Sequence, residues 1–350
     1  MWKTIKLLFI TLSIGASGGA IFLAFGLPLP WMLGAMTAAT MAALAGAPLA
    51  VPKTFRNFMV AALGVLLGSQ FTPDTFDNMT IWSTGIAGVI GSVFVMISIG
   101  ILLLKYLGKY DLVTAYFSAT PGGLSEMTLV GELMGGDPRR IALTHGVRVL
   151  TAVFLIVFYF RVFENYEPEN FSSNAETIVS VLEILILISC AIFGYPLARM
   201  LRIPAPQLVG PLTVTASLSL SGIVNANPPN ELIWMAQVGL GSAIGARFVG
   251  SAIRGLGIPL LLSALLGIIM VLVAALFAYV LGYIAGVPSA MLFLAFAPGG
   301  LAEMSIIALS MDAQSAIVSS HHMLRIIILV IIAPILFRWY YNISQAKRIK

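Results

Sequence analysis

The chain has 350 residues, of which 59% are hydrophobic and only 9% charged, with a mean hydropathy of +1.00. Soluble domains carry about 25% charged residues, so this deficit assigns most of the chain to lipid and leaves no block able to fold as a separate soluble domain. The net charge of +5 is spread over short loops and the tail residues Arg338, Lys347, Arg348 and Lys350, a pattern of membrane topology rather than of nucleic-acid affinity.

Apolar stretches of roughly 17–25 residues, the length that crosses a bilayer, recur from end to end. The first, Lys3 to Gly26, ends near Ala16-Ser17-Gly18-Gly19-Ala20 as a signal peptide would. Its second-half counterpart, about 178–203, reads as a membrane helix, so the first is expected to be a retained span. Leu27-Pro28-Leu29-Pro30-Trp31 opens a helix running into Gly34, where close helix packing is expected. Lys53/Arg56 and Lys105/Lys109 mark basic loops, and Asp74/Asp77 a non-basic one; Gln70 falls near a membrane boundary. The segment 112–135 is broken at Thr120-Pro121-Gly122-Gly123, followed by Ser125 and Glu126. Proline suits a first helical turn and paired glycines allow a tight turn, so the break predicts a helix N-terminus deep in the membrane. Arg139/Arg140 precede a helix carrying His145 and Arg148, and an acidic linker, 163–176, holds Glu164, Glu167, Glu169 and Glu176.

The second half reads alike. Glu183 lies inside an apolar helix that also contains Cys190, the chain's single cysteine, which excludes a disulfide framework or a multi-cysteine metal centre. Arg199/Arg202 precede Ile203-Pro204-Ala205-Pro206-Gln207, which opens a helix into Gly210, and Arg247/Arg254 form a further basic loop. The segment 288–312 is broken at Pro298-Gly299-Gly300 before Glu303; His321, His322 and Arg325 come next.

A shift of 177 residues lays Pro121-Gly122-Gly123-Leu124-Ser125-Glu126-Met127 on Pro298-Gly299-Gly300-Leu301-Ala302-Glu303-Met304, His145 on His322 and Arg148 on Arg325. Leu63-Gly64, Gly68 and Phe71 likewise meet Leu240-Gly241, Gly245 and Phe248. A near-constant shift over most of both halves indicates a duplication, with repeats at 1–162 and 177–350 around the linker. The basic loops place both termini in the cytoplasm and the acidic linker in the periplasm. Six apolar segments per half would return each half to its starting side, yet its ends lie on opposite sides. The conflict disappears if 112–135 and 288–312 are re-entrant hairpins and the other five segments span. The expected fold is therefore all-α and polytopic: two inverted repeats, each of about five transmembrane helices plus one hairpin, as in secondary transporters. A continuous broken helix is the rival layout.

Two converging helix N-termini suit an anion. Glu126 and His145 each lie about 14 Å of helix from the turn near 136, and Arg148 comes level with Gly123 and Leu124. Glu303, His322 and Arg325 repeat the arrangement. Such trios can brace the hairpins or handle solute. The functional version assigns Thr120, Pro121, Gly122, Gly123, Ser125, Arg148, Pro298, Gly299, Gly300 and Arg325 to an anionic solute. It assigns Glu126, His145, Glu303 and His322 to ion or proton coupling. His321, opposite Thr144, is expected to be peripheral. No Walker loop, GxSxG or HExxH pattern occurs, so no catalytic residues, metal or cofactor are expected.

The doubled Pro-Gly-Gly-Leu-Ser/Ala-Glu-Met block, the paired His-x-x-Arg and the Leu/Ile-Pro-x-Pro openings resemble the bacterial AbrB-like integral membrane family. That resemblance covers the whole chain and implies a multi-pass inner-membrane protein. The labels its members carry range over ammonia monooxygenase, regulator of the aidB gene and transporter. A transporter of a small anionic solute accounts for the inverted repeat, hairpins and buried charges together. A regulator would need a soluble output surface, and a monooxygenase a metal site that three histidines supply poorly. The expected partners are the lipid bilayer, a small solute and a coupling ion, not nucleic acid; a homodimer stays open.

Overall fold

The computed structural model describes residues 2–77, 79–164, 181–224, 230–250, 257–311 and 314–346. Most of the acidic linker, Arg254 and the last four tail residues lie outside the described residues. Among the described residues there is no strand. The first half forms α1 (Trp2–Ala24), α2 (Pro30–Leu44), α3 (Lys53–Gly68), α4 (Met79–Leu102, continued by a π-turn at Leu103–Leu107), α5 (Leu112–Ala119), α6 (Leu124–Leu133) and α7 (Pro138–Phe163). The second forms α8 (Val181–Met200), α9 (Pro206–Leu220), α10 (Asn230–Gly245), α11 (Gly257–Ala285), α12 (Ser289–Phe296), α13 (Leu301–Ser310) and α14 (Ser315–Ala346). The order repeats: α3, α5, α6 and α7 begin 177 residues before α10, α12, α13 and α14.

Six of these helices are long and apolar enough to cross a membrane: α1, α4, α7, α8, α11 and α14. The protein is thus a multi-pass membrane protein. About ten spans were expected; α2, α3, α9 and α10 fall short because 15 or 16 residues cover roughly 22–24 Å at 1.5 Å per residue, against a core of about 30 Å. Large apolar side chains such as Phe9, Phe94, Phe193 and Leu272 stand exposed. On a soluble protein that would be a liability; on a lipid-facing surface it is required.

The chain packs as two compact units, and each sequence half contributes to both. The first unit comprises Met1–Trp82, Val153–Arg254 and Leu301–Ser319. Its helices approach to backbone contact at glycines. Gly18 of α1 meets Gly34 of α2, and the equivalent Gly194 of α8 meets Gly210 of α9. Gly64 and Gly68 of α3 seat against Leu208 and Leu212 of α9, while Gly241 and Gly245 of α10 seat against Met32 and Ala39 of α2. A Cβ at any of these positions would collide with a neighbour, so the glycines are the packing surface. The Pro-x-Pro openings bend the chain into α2 and α9: Leu29 (φ 45°) and Ala205 (φ 50°) each hold a left-handed conformation between their prolines, which strains a residue with a Cβ.

The second unit comprises Ser83–Ala152, Gly255–Gly300 and Ser320–Lys350. Here α4 offers Gly85, Gly88 and Gly91 on one face, filled by the rings of His321, Phe296 and Phe277. The segment 112–135 folds back on itself as α5 and α6. The amide of Asp137, just past α6, donates to Thr114 Oγ1 near the start of α5 at 2.9 Å. Phe117, Met127, Ile141 and Phe337 form the core against it.

Replacing Ala205 by Gly should raise the thermal unfolding midpoint in detergent, a gain of up to about 1 kcal/mol from the relieved left-handed backbone. Leu29→Gly should instead lower it, because Leu29 is only 2% exposed and its packing is worth about 2–3 kcal/mol.

Candidate functional site

Helix α5 ends where Pro121 forces Thr120 out of helical geometry, and α6 restarts with Gly123 as its N-cap. A helix that stops in a buried place leaves carbonyls unpaired at its C-terminus and amides unpaired at the next N-terminus. Thr120 O receives the Gly122 amide at 2.8 Å, and Thr120 Oγ1 donates to Tyr116 O at 2.8 Å. The remaining capacity is met from α7. His145 Nε2 lies 2.9 Å from Phe117 O, and Arg148 Nη1 donates to Thr120 O at 3.2 Å. Arg148 Nη2 sits 3.2 Å from His145 Nδ1.

The same construction recurs at the second break. Helix α12 ends at the C-cap Ala297. From α14, His322 Nε2 lies 2.8 Å from Leu294 O, and Arg325 donates to Ala297 O and to Gly299 O, both at 2.6 Å. Phe117 and Leu294, and Thr120 and Ala297, are equivalent under the 177 shift. Cationic side chains at helix C-termini also favour the helix dipole. The helices that carry them are the most enclosed of the six spans: 61% of the α7 window and 56% of the α14 window is buried, against 17% for α8.

Arg148 and Arg325 are 1% and 2% exposed, and they lie near enough to register each other's charge. The Nε of each has no hydrogen-bond partner. All four residues, His145, Arg148, His322 and Arg325, belong to the second unit together with both Pro-Gly-Gly tips.

The glutamates behave differently. The Glu126 carboxylate folds back over Gly123 in the first turn of its own helix. It makes no ion pair with Arg148 among the described residues. Glu303 is buried at 8% exposure and falls in the first unit, where Arg247 is its charged neighbour. A histidine and an arginine of one helix reach the carbonyls at each break, and the Glu126 carboxylate turns to its own helix. The side chain of Ser125 is outside the described residues. His321 packs its ring against Gly85, while Thr144 is reached by Ser263 of α11 at 3.3 Å.

Residues 31–341 match the family described as "Transition state regulatory protein AbrB". The chain belongs to the AbrB family. It is 25% identical to the "Uncharacterized protein YhjN" of Bacillus subtilis (strain 168), over 97% of this chain and 94% of that one. It is also 25% identical to the "Putative regulator AbrB" of Escherichia coli (strain K12), over 97% and 96% of the two chains.

In this AbrB-family chain the main-chain carbonyls of Phe117, Thr120, Leu294, Ala297 and Gly299 join the site, and sequence reading passed over them. The signal was present in the spacing: each His and each Arg follows its carbonyl by 28 residues in both halves. Arg325→Lys should cost about 1.5–3 kcal/mol of unfolding free energy, because one ammonium cannot fork across two carbonyls. The exposed Arg140, paired with Asp137 at 3.4 Å, should tolerate Arg140→Ala at under about 1 kcal/mol. Denaturant unfolding in detergent distinguishes the two.

Proposed function

We propose that this AbrB-family protein is a secondary transporter of a small anionic solute, coupled to an ion or proton. The observation that carries the reading is the pair of buried guanidiniums, Arg148 and Arg325, which share one unit and have no acidic partner there among the described residues. Unpaired charge at such a depth is costly and calls for an anion. The N-terminus of α6, opened by Gly122-Gly123, adds main-chain amides suited to a carboxylate.

In this reading 112–135 and 288–312 are re-entrant hairpins of two inverted repeats in the bacterial inner membrane, with both termini cytoplasmic. The short helices α2, α3, α9 and α10 complete five crossings per half. Crossings buried within protein need not match the full lipid thickness. Glu126 and Glu303 serve coupling, with His145 and His322. The protein is not an enzyme in this reading. A membrane regulator is the second reading, favoured by the names of the family and of the Escherichia coli relative.

A thermal-shift screen of purified protein against carboxylates, amino acids and ammonium at two pH values tests the proposal, since a ligand of the folded state raises its stability. Carboxylates should stabilise the protein, and Arg148→Gln or Arg325→Gln should abolish that gain. Stabilisation by none of the carboxylates would sink the anion reading. In proteoliposomes, Glu126→Gln and Glu303→Gln should lose proton-driven uptake; full retention would make these glutamates structural.

A further inference from the structure

Each half pairs a histidine with an arginine three residues on, and the two halves hold the pair differently. A carbonyl oxygen only accepts, so the contacts of Nε2 with Phe117 O and Leu294 O place a proton on Nε2 of both His145 and His322. Nδ1 of each ring then presents a lone pair. In the first half Arg148 Nη2 donates to that lone pair at 3.2 Å. In the second half Arg325 Nη2 donates to Gly299 O at 2.6 Å instead, and the buried Nδ1 of His322 has no hydrogen-bond partner. Nη1 does the same work in both halves, on Thr120 O and Ala297 O. The arginine's second nitrogen thus has two seats: its own histidine ring, or the carbonyl of the first tip glycine, which in the first half is Gly122.

From these two seats we infer that Nδ1 of His145 and of His322 is the site of the coupling proton, filled when the arginine has moved to the tip glycine and an anion is bound. The inference deepens the anion-transport reading and rests on it. A proton arriving from water at Nδ1 turns the lone pair into a donor, while the Nε2 proton stays on its carbonyl. Two donors then face each other and Nη2 leaves for the glycine carbonyl. The second half already stands in this receptive arrangement, and the first in the closed one. The proton returns to water when the anion departs and Nη2 takes back the ring.

The anion is required because the surroundings are positive. His322 faces Arg325 and His321 on α14, with Arg148 of α7 acting on Arg325. Helix α12 supplies a carbonyl and has no titratable side chain. His145 faces Arg148; α5 supplies a carbonyl and Tyr116, whose hydroxyl donates to Ala333 O. Helix α11 reaches α7 through Ser263, and on α6 the Glu126 carboxylate lies over Gly123. A further positive charge beside two buried arginines is tolerable only with a negative one present. Anion and proton therefore each raise the affinity for the other, by the same factor.

The chain has three histidines, so the imidazole nitrogens of the full-length protein in nanodiscs give a simple 15N spectrum. Lactate and pyruvate, which stay ionised near neutral pH, serve as probes. On adding a probe that stabilises the protein thermally, His145 or His322 should gain a second ring proton. The weakly buffered solution should register proton uptake. Stabilisation without ring protonation or uptake would overturn this inference and leave the anion reading standing. If neither probe nor any carboxylate of the screen stabilises the protein, both fall. His145→Gln and His322→Gln keep a donor for the carbonyl but cannot titrate. In the double variant, probe stabilisation should lose its dependence on pH between 6 and 8, roughly the range of histidine titration; a retained dependence would overturn the proposal.

Discussion

A helix that ends inside a membrane protein leaves carbonyl oxygens with no water to turn to, and the second unit is arranged around that constraint. Helices α5 and α12 have eight residues each, begin at the exposed Asp111 and Pro288, and end among buried residues. Their last carbonyls are met by side chains from the helices that follow each broken segment. Arginine suits this task because its planar fork serves two oxygens at once and keeps its charge when buried. Histidine suits it because one nitrogen can donate to a carbonyl while the other stays open.

The price of that solution is positive charge at depth. Backbone dipoles at the helix C-termini offset part of it. Within the second unit the Glu126 carboxylate does not supply the rest as an ion pair, since it turns to its own helix. A site that needs braces to hold its breaks open and gains cationic character from them is predisposed to anions. In the transport reading proposed above, bracing and binding are consequences of one placement of the same arginines. Nη1 and Nη2 hold the backbone, and each Nε stays without a partner.

Much of this was legible in the residues. The 177-residue shift located the equivalent starts of α3, α5, α6 and α7 in the second half, because the Pro-Gly-Gly break recurs at that spacing. Composition alone identified a membrane protein, and the depth argument brought His145 and Arg148 to the broken segment. What escaped was the identity of their partners. A sequence names side chains, so it suggested Glu126 and Glu303, whereas the closest partners are main-chain carbonyls that no residue letter advertises. The number of long spans escaped as well. Hydropathy marks apolar runs, but the Pro-x-Pro openings delay the starts of α2 and α9 to Pro30 and Pro206, and each has 15 residues. The interleaving of halves into two units was also hidden, since Gly64 on Leu208 and Gly241 on Met32 are contacts that only tertiary structure reveals.

Duplication explains the twofold plan but not the differences within it. The glycine contacts of the first unit are nearly interchangeable between halves, as packing surfaces must be when a Cβ at either copy would collide with backbone. At the tips the copies have diverged: Thr120 stands opposite Ala297, Thr144 opposite His321, and the second nitrogens of Arg148 and Arg325 take different acceptors. The two copies have therefore diverged in hydrogen bonding at the tips while keeping the same histidine and arginine, whereas the packing glycines have kept both residue and contact.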